Sequence, residues 1–398
     1  MPWEVSSVMD ERMSFIVAWQ SGEDTVAELA RQFQISRKTA YKMIDRFETM
    51  GWDGLKDLSR APYHHPNAVS EETLAAVVAL RQAHPTWGPK KLRARLRSKE
   101  PHRQWPAEST IGEILDRSGL VRHRRPVAKA PARQGPLAAI EGANDVWAAD
   151  FKGWFRTGDG RRCEPFSLSD LASRYVLRLQ GWERMQPGRV WGLLDVAFRE
   201  FGLPKRLRSD NGPPFASTAP GGLSALAVRL IKAGVVPERI TPGRPQENGR
   251  HERMHRTLKE DTATPPAADL RQQQRRFDRF RQVFNEERPH EALGQTPPAT
   301  HYSASPRRYS GRLREPEYPG DHSVRRVHVR GEIKWGGERV FISEALIHEP
   351  IGLEPIDDGR WRLHYGPVVL GCLDEQGKFT RVGRGTRPPP DAPRRPPA

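Results

Sequence analysis

The segment Val146-Trp-Ala-Ala-Asp-Phe-Lys-Gly153 decides how the centre of this chain is interpreted. It begins an apolar run, rich in aromatic residues, that predicts a strand reaching Phe155. Asp150 lies inside this run, where an ionised carboxylate is costly unless it is paired or coordinates a metal ion. The segment therefore predicts a buried strand that carries an acid in need of a partner.

Strands and helices alternate from this segment onward. Predicted strands cover 146–155, 163–168, 175–179, 206–209 and 235–240, and predicted helices cover 187–201, 222–233 and a stretch from 245 that is interrupted near 264. Short turns join the first three strands, so we expect them to be antiparallel. The order predicts a mixed sheet flanked by helices, in an α/β domain over residues 144–315.

Two further acids lie in positions suited to chemistry. Asp210 ends the strand in Leu207-Arg-Ser-Asp-Asn-Gly212, at a carboxyl end where ligands of α/β sheets commonly bind. Glu252 follows in a predicted helix. Carboxylates brought together repel, and a divalent cation is the usual way to keep several of them ionised; oxygen ligands select Mg²⁺ or Mn²⁺. Taken singly, each acid could be an ordinary strand, turn or surface residue.

The first 60 residues predict a helix-turn-helix domain. Three helices are expected between residues 11 and 50, the first with Met13 and Val17 on its apolar side. Ser36 is a good N-cap for the third helix, whose inner face includes Ala40 and Ile44. Near its N-terminus this helix exposes side chains suited to base edges and phosphates in a major groove, namely Arg37, Lys38, Tyr41 and Lys42. A three-helix cluster with a solvated basic face is the alternative.

Residues 61–125 predict a second helical DNA-binding unit. One of its helices carries cations without matching acids, at Lys90, Lys91, Arg93, Arg95, Arg97 and Lys99. Such a run favours phosphate contacts over a solvated face. Residues 126–143 are predicted to be a linker, because their sequence is basic and Pro/Ala-rich and has no apolar period.

The C-terminal part changes to short β-type runs. They cover 324–329, 332–335, 338–342, 351–355, 361–365 and 368–373, with Gly-containing turns between them. Residues 320–382 therefore predict a small β-barrel. The Pro/Arg-rich residues 383–398 predict a disordered tail.

Composition narrows the classes of function. The 398 residues include 65 Lys+Arg against 49 Asp+Glu, a formal net charge of +16, which favours nucleic acid as the partner. No apolar run approaches the roughly 20 residues that span a bilayer, and the start does not resemble a secretory signal, so we expect a cytoplasmic protein without a membrane partner. Two cysteines, Cys163 and Cys372, exclude a disulfide framework.

The three acids carry a resemblance to a known family. The order Asp150, Asp210-Asn-Gly212 and Asn248-Gly-x-x-Glu252 resembles the catalytic core of the DDE recombinases, which include retroviral-type integrases and bacterial insertion-sequence transposases. The segment from Asn285 to Leu293, Asn-Glu-Glu-Arg-Pro-His-Glu-Ala-Leu, is similar to the one that follows the catalytic helix in those bacterial transposases. The resemblance covers nearly the whole chain and implies a ribonuclease-H-like fold for the central domain.

This resemblance implies that Asp150, Asp210 and Glu252 are the catalytic metal ligands, with two Mg²⁺ or Mn²⁺ ions. Many members have a shorter separation than the 41 residues that lie here between the last two acids. Glu247, with 36 residues in between, is therefore an alternative. We favour Glu252 for its Asn-Gly-x-x-Glu context, with residues 216–222 as a loop that takes up the extra length.

Zinc is not expected. Retroviral integrases carry a His-His-Cys-Cys set in their N-terminal part, whereas His64 and His65 adjoin no thiol here. Polar residues near the acids are expected to hold scissile or flanking phosphates, namely Lys152, Asn248, His251, His255, Arg256 and Lys259. A solvated face is the alternative for each of them.

Together these features predict a DNA transposase of an insertion sequence. We expect it to bind double-stranded terminal inverted repeats and target DNA, to cleave and join strands in the central domain, and to act as a homo-oligomer on DNA. The alternatives are a DNA-binding regulator or inactive relic, a transposase subunit that depends on an ATPase partner, and an independent nuclease.

Overall fold

A computed structural model describes residues 7–58, 68–121, 137, 139–151, 153–242, 244, 247, 249–357 and 359–381. These residues form two compact units, divided between Val69 and Ser70. The predicted tail 383–398, most of the predicted linker, His64, His65, Lys152 and Asn248 lie outside the described residues. None of the helices in the described part has both the length and the apolar composition needed to cross a bilayer.

The first unit contains the three predicted helices. They are α1 (Val8–Ser21), α2 (Val26–Gln32) and α3 (Arg37–Met50). Ala40 and Ile44 are buried, as the pattern predicts, and Leu29 of α2 is buried with them. The predicted apolar side of α1 is wrong: Met13 and Val17 are 40% and 58% exposed, and α1 instead buries the adjacent pair Phe15 and Ile16.

Ser36 caps α3 as predicted, and its loss is expected to weaken that helix. Its Oγ accepts the N–H of Thr39 at 3.1 Å. Ser36→Ala removes this acceptor and is expected to cost about 1 kcal/mol. In hydrogen exchange of the full chain, the amides of α3 should exchange about fivefold faster. Ser36→Asp keeps an acceptor and is the control; equal acceleration in both variants would contradict the capping role.

The second unit begins with three more helices. They are α4 (Glu71–Ala83), α5 (Pro89–Lys99) and α6 (Glu108–Arg117). Val77, Trp87, Leu92 and Ile111 are buried among them. Leu92 lies on α5, so the basic residues of that helix surround a stripe that holds the three helices together.

A mixed sheet forms the centre of the second unit. Its strands are β1 (Val146–Phe151), β2 (Phe155–Arg156), β3 (Arg162–Asp170), β4 (Val176–Trp182), β5 (Arg206–Ser209) and β6 (Val236–Arg239). The order is β4-β3-β1-β5-β6, with β2 also paired to β3. Strand β3 is antiparallel to its neighbours β1 and β4, whereas β1, β5 and β6 are parallel. The mixed sheet predicted for a ribonuclease-H-like domain is confirmed.

Helices cover both faces of this sheet. They are α7 (Pro187–Phe201), α8 (Ala225–Lys232), α9 (Gly249–Thr262) and α10 (Leu270–Glu286). One face packs Trp147 and Phe166 against α7 and α8. The other packs Cys163 and Val176 against α9 and α10. Because side chains alternate along a strand, Asp150 and its cross-strand partner Ser167 lie on the α9 face.

The C-terminal part is an open sheet and a separate hairpin. The strands are β7 (Ser323–Arg326), β8 (Glu332–Trp335), β9 (Glu338–Phe341), β10 (Pro350–Asp357), β11 (Arg360–Tyr365), β12 (Val368–Asp374) and β13 (Phe379–Arg381). One sheet has the order β13-β12-β11-β10-β7, and β8 pairs with β9. The pairings among the described strands do not close, so the predicted barrel is not confirmed, although nearly every predicted strand is present.

The C-terminal sheet shares a core with the central domain. Ala227 and Ile231 of α8 pack with Leu353 and Leu363 of the sheet. Lys232 Nζ also lies 2.6 Å from a carboxylate oxygen of Glu349. The position of the sheet is therefore fixed by apolar contacts and an ion pair.

Candidate active site

Asp150 and Asp210 lie at the same level on neighbouring strands. Strands β1 and β5 are parallel, and Ala148 pairs with Arg208. Continuing this register by two residues places Asp210, the first residue after β5, beside Asp150. Both acids are therefore at the carboxyl ends of adjacent parallel strands, the edge where α/β sheets place their ligands.

The turn after β5 fixes the position of Asp210. Its Oδ1 accepts the N–H of Gly212 at 3.1 Å, and Asn211 Nδ2 donates to the carbonyl oxygen of Ile240 at 2.7 Å. A Cβ at Gly212 would lie 3.1 Å from Asp210 Oδ2, so a glycine leaves room for the carboxylate. The hydrogen bonds of the Asp-Asn-Gly turn therefore hold the Asp210 carboxylate in place.

The two candidate glutamates have different surroundings. Glu252 lies in the first turn of α9, and it is exposed. Glu247 has a side chain that is only 3% exposed, and its Oε2 accepts the N–H of Thr241 at 2.7 Å. Glu247 therefore holds the segment before α9, whereas Glu252 is accessible to a cation and to DNA.

A buried histidine pair connects α9 to the sheet. His251 and His255 are 1% and 4% exposed. Ser167 Oγ lies 2.8 Å from His251 Nε2 and 2.6 Å from His255 Nε2, and Ser169 Oγ lies 2.8 Å from His251 Nδ1. His255 Nδ1 lies 3.8 Å from Oδ2 of Asp150. The pair thus anchors the helix that carries Glu252 next to the strand that carries Asp150.

Burial decides the charge of His251. It lowers the pKa of this imidazole to about 3, so the ring is neutral near pH 7. A buried ring that is hydrogen-bonded to two serines does not reach a DNA phosphate, and the ring of His255 is buried in the same way. We therefore revise the expectation of a phosphate contact for both His251 and His255. The sequence shows two histidines four residues apart on a helix and two serines two residues apart on a strand. The contact between them could not be predicted, because the two segments lie more than 80 residues apart in the chain.

Two kinds of domain are matched by models of known protein families. Family models of the integrase core domain match residues 141–245 and 233–298. A helix-turn-helix domain matches residues 11–63, and a homeodomain-like domain matches residues 39–115. The matches support a relationship to the DDE transposase and integrase family.

Similar proteins come from insertion elements and retroviruses. An uncharacterized 39.2 kDa protein of insertion element IS476 from Xanthomonas euvesicatoria is 26% identical over 256 residues, which cover 62% of this chain and 69% of that protein. An uncharacterized 31.7 kDa protein of IS407 from Burkholderia multivorans is 26% identical over 250 residues, 62% of this chain and 87% of that protein. The Gag-Pol polyprotein of baboon endogenous virus is 41% identical over 93 residues, 22% of this chain and 5% of that protein.

Solved structures of retroviral integrases are also similar. The HTLV-2 integrase catalytic core domain in complex with magnesium is 15% identical, with a TM-score of 0.32, over 40% of this chain and 98% of that chain. The intasome of simian T-cell lymphotropic virus in complex with PP2A regulatory subunit B56 gamma is 14% identical, with a TM-score of 0.37, over 77% of this chain and 98% of that chain.

The three candidate acids fit a divalent cation. The integrase core family depends on divalent metal ions. Asp150 and Asp210 are level, Glu252 is exposed on the adjoining helix, and carboxylate oxygens are the ligands that Mg²⁺ and Mn²⁺ prefer. The ligand atoms of Asp150, His251 and His255 also lie within 4.8 Å of one another, which adds nitrogen donors to the neighbourhood.

Predicted DNA contacts on α3 and α9 are accessible. Four of these side chains are exposed on α3, namely Arg37, Lys38, Tyr41 and Lys42. Arg256 and Lys259 are exposed on α9, four and seven residues after Glu252, so they share its side of the helix. Arg256 and Lys259 therefore form an exposed basic surface next to Glu252.

Part of the basic face of α5 contacts the central domain instead of solvent. Lys91 donates a hydrogen bond to the carbonyl oxygen of Pro289, and burial lowers the pKa of its ammonium group to about 8. Arg95 pairs with Glu287 at 2.7 Å. Lys90 is exposed, 3.8 Å from a carboxylate of Glu291. The basic residues of α5 therefore contact the central domain at Lys91 and Arg95, whereas Lys90 is exposed.

Proposed function

We propose that this chain is a DNA transposase that cleaves and joins strands in its central domain. The observation that carries the proposal is the level placement of Asp150 and Asp210 at the ends of adjacent parallel strands, beside the helix that presents Glu252. Together these acids would hold two Mg²⁺ or Mn²⁺ ions. When bound, such ions supply activation of the attacking oxygen and stabilisation of the leaving oxygen in a displacement at phosphorus.

The residues of the chain position the DNA. Arg256 and Lys259 bind phosphates that flank the scissile bond, and Lys90 contributes from α5. Lys152 and Asn248 are also proposed to contact phosphates, and this role is supported by their positions in the sequence. Water attack frees a 3′-hydroxyl at the element end, and that hydroxyl then attacks target DNA. Joining two ends requires at least two protomers, so we propose a homo-oligomer on DNA.

The activity is tested with the full-length chain on oligonucleotides that carry the DNA flanking its gene. Wild type is expected to cleave and join strands with Mg²⁺ or Mn²⁺, and Asp210→Asn is expected to bind the same DNA without doing either. Cleavage without joining would replace the proposal with a nuclease. Binding without cleavage, with candidate ATPase partners supplied, would replace it with a regulator.

Helix α3 is proposed to recognise the terminal repeat. Lys38→Ala and Lys42→Ala are each expected to weaken repeat binding, because each removes a cation from the exposed N-terminal half of α3. If the replaced lysine contacts a phosphate, the magnitude of the slope of log binding constant against log salt concentration should fall by about 1. Fluorescence anisotropy at several salt concentrations measures both quantities.

Lys56→Ala is the matched control for these variants. It removes the same charge from the same unit, but Lys56 follows α3 and pairs with Asp53 at 2.6 Å. Its slope is expected to stay at the wild-type value. A slope change in Lys56→Ala as large as in the α3 variants would show that net charge, rather than α3, determines binding.

A further inference from the structure

The C-terminal sheet brings two histidines and a glutamate together on one face. Gly352 of β10 pairs with His364 of β11 and with Val324 of β7. Glu354 comes two residues after Gly352, so it is the diagonal neighbour of His364 on the same face. His322 comes two residues before Val324, and the antiparallel register, continued to it, places it opposite Glu354. One ligand atom from each of these three side chains lies within 4.8 Å of the other two.

We propose that His322, Glu354 and His364 form a binding site for Zn²⁺ that joins the start of β7 to the C-terminal sheet. Two imidazoles and a carboxylate are a ligand set that zinc uses when its fourth position is open to water. Mg²⁺ prefers oxygen ligands and matches two nitrogen donors poorly. The expectation that zinc is absent was based on His64 and His65 and did not consider these three residues. The site does not depend on the proposed function.

Asp321 leaves one nitrogen of His322 available to a metal ion. Nδ1 of His322 lies 2.8 Å from Oδ1 of Asp321. An ionised carboxylate accepts hydrogen bonds and donates none, so Nδ1 carries the proton and donates. In the neutral ring, Nε2 therefore has a free lone pair. A carboxylate behind a metal-ligating histidine commonly fixes the ring in this way.

Glu354 and His364 share a hydrogen that an ion can replace. Nε2 of His364 lies 2.9 Å from Oε2 of Glu354. When the ion takes this place, the proton moves to Nδ1 of the same neutral ring. Tetrahedral zinc ligands lie about 3.3 Å apart, so the two side chains need to separate by about 0.4 Å. The Glu354 side chain is 34% exposed and has room to move. Arg362 donates to the same oxygen at 3.3 Å, and such outer hydrogen bonds orient a ligating carboxylate.

Tyr318 holds the segment that carries His322 against the sheet. A Cβ at Gly352 would collide with the Tyr318 ring, so the ring packs where β10 has no side chain. The Tyr318 hydroxyl donates to the carbonyl oxygen of Pro350 at 2.9 Å. Its ring is stacked beside that of His322, with centroids 6.3 Å apart. The proposed ligands therefore face one another before an ion binds.

Zn²⁺ titration of the full-length chain without an affinity tag tests the site. The described residues include another group of metal-ligand type around Asp150, so all measurements are made in an Asp150→Asn background. This protein is expected to bind one Zn²⁺ above about pH 7, where histidines are mostly neutral. His322→Gln and His364→Gln are each expected to weaken binding by about 10-fold or more. His328→Gln is the matched control, because it removes an exposed imidazole from the same part of the chain, and its affinity should be unchanged.

Two further readouts do not require the histidine variants to fold. X-ray absorption of the bound Zn²⁺ should show two histidine nitrogens in its coordination shell. Hydrogen exchange should show protection of β7, whose residues are all exposed. With free Zn²⁺ about tenfold above its dissociation constant, any opening of β7 that releases the ion should become about tenfold rarer.

Three results would overturn the site. They are no saturable Zn²⁺ binding in the Asp150→Asn background, equal affinity in His322→Gln and His364→Gln, and an absorption spectrum without histidine nitrogens. Strand cleavage and joining are not part of this test, so its outcome is separate from that of the proposed function.

Discussion

Glu252→Gln is expected to abolish strand cleavage and joining, whereas Glu247→Gln is expected to retain both. Glu252 is exposed in the first turn of α9, and loss of its negative charge removes a proposed metal ligand. The rate should fall by at least about 10³-fold, equivalent to ~4 kcal/mol of transition-state stabilisation. In Glu247→Gln, the amide oxygen can still accept the N–H of Thr241 that Glu247 accepts at 2.7 Å.

The two variants form a matched pair. They make the same chemical change five residues apart, so a general effect of charge or of the substitution itself is controlled. Cleavage and joining are measured on the flanking-DNA oligonucleotides, and repeat binding is measured in parallel by anisotropy. Loss of activity in Glu247→Gln with activity retained in Glu252→Gln would move the third ligand to Glu247.

The longer spacing between the last two acids was expected to be taken up by residues 216–222. These residues form a loop with a short helical turn at Pro220–Gly222. A Cβ at Gly221 would lie 2.9 Å from Val368 of β12, so the loop packs closely on the C-terminal sheet. This loop therefore contacts the C-terminal part of the unit and lies outside β5, the strand that precedes Asp210.

Local sequence patterns predicted the central domain well. The strand that carries Asp150 and the turn after Asp210 depend on residues close in sequence, namely an apolar run and Asn211-Gly212. Ser36 could likewise be assigned as an N-cap from its position before α3. Features of this kind depend mainly on residues a few positions away. A single sequence therefore contains most of the information needed to predict them.

Features decided by distant contacts were not predicted. Helix α1 has apolar residues on more than one side, and packing against α2 and α3 selects Phe15 and Ile16 for burial rather than Met13 and Val17. The charge of Arg95 suggested DNA, yet Glu287 lies 192 positions away and supplies its partner. A sequence pattern shows that a helix is basic, but it does not show which surface that helix contacts.

Glu238→Leu is expected to destabilise the central sheet by about 3 kcal/mol. Arg208 and Glu238 are cross-strand partners on β5 and β6, and their side chains are 5% and 11% exposed with Nε 2.7 Å from Oε2. Removing the carboxylate leaves the Arg208 guanidinium buried without that partner. Because β5 ends one residue before Asp210, opening of this pair also releases a proposed catalytic acid.

The double variant Arg208→Leu/Glu238→Leu separates the cost of burying Arg208 without Glu238 from the cost of lost packing. Two apolar residues of similar volume leave no buried charge, so its stability should return to within about 1 kcal/mol of wild type. Hydrogen exchange of the full chain measures this through peptides that cover β5 and β6. If the double variant is as unstable as Glu238→Leu, loss of the Glu238 carboxylate next to the Arg208 guanidinium is not the cause, and the contribution of Glu238 lies in its other contacts.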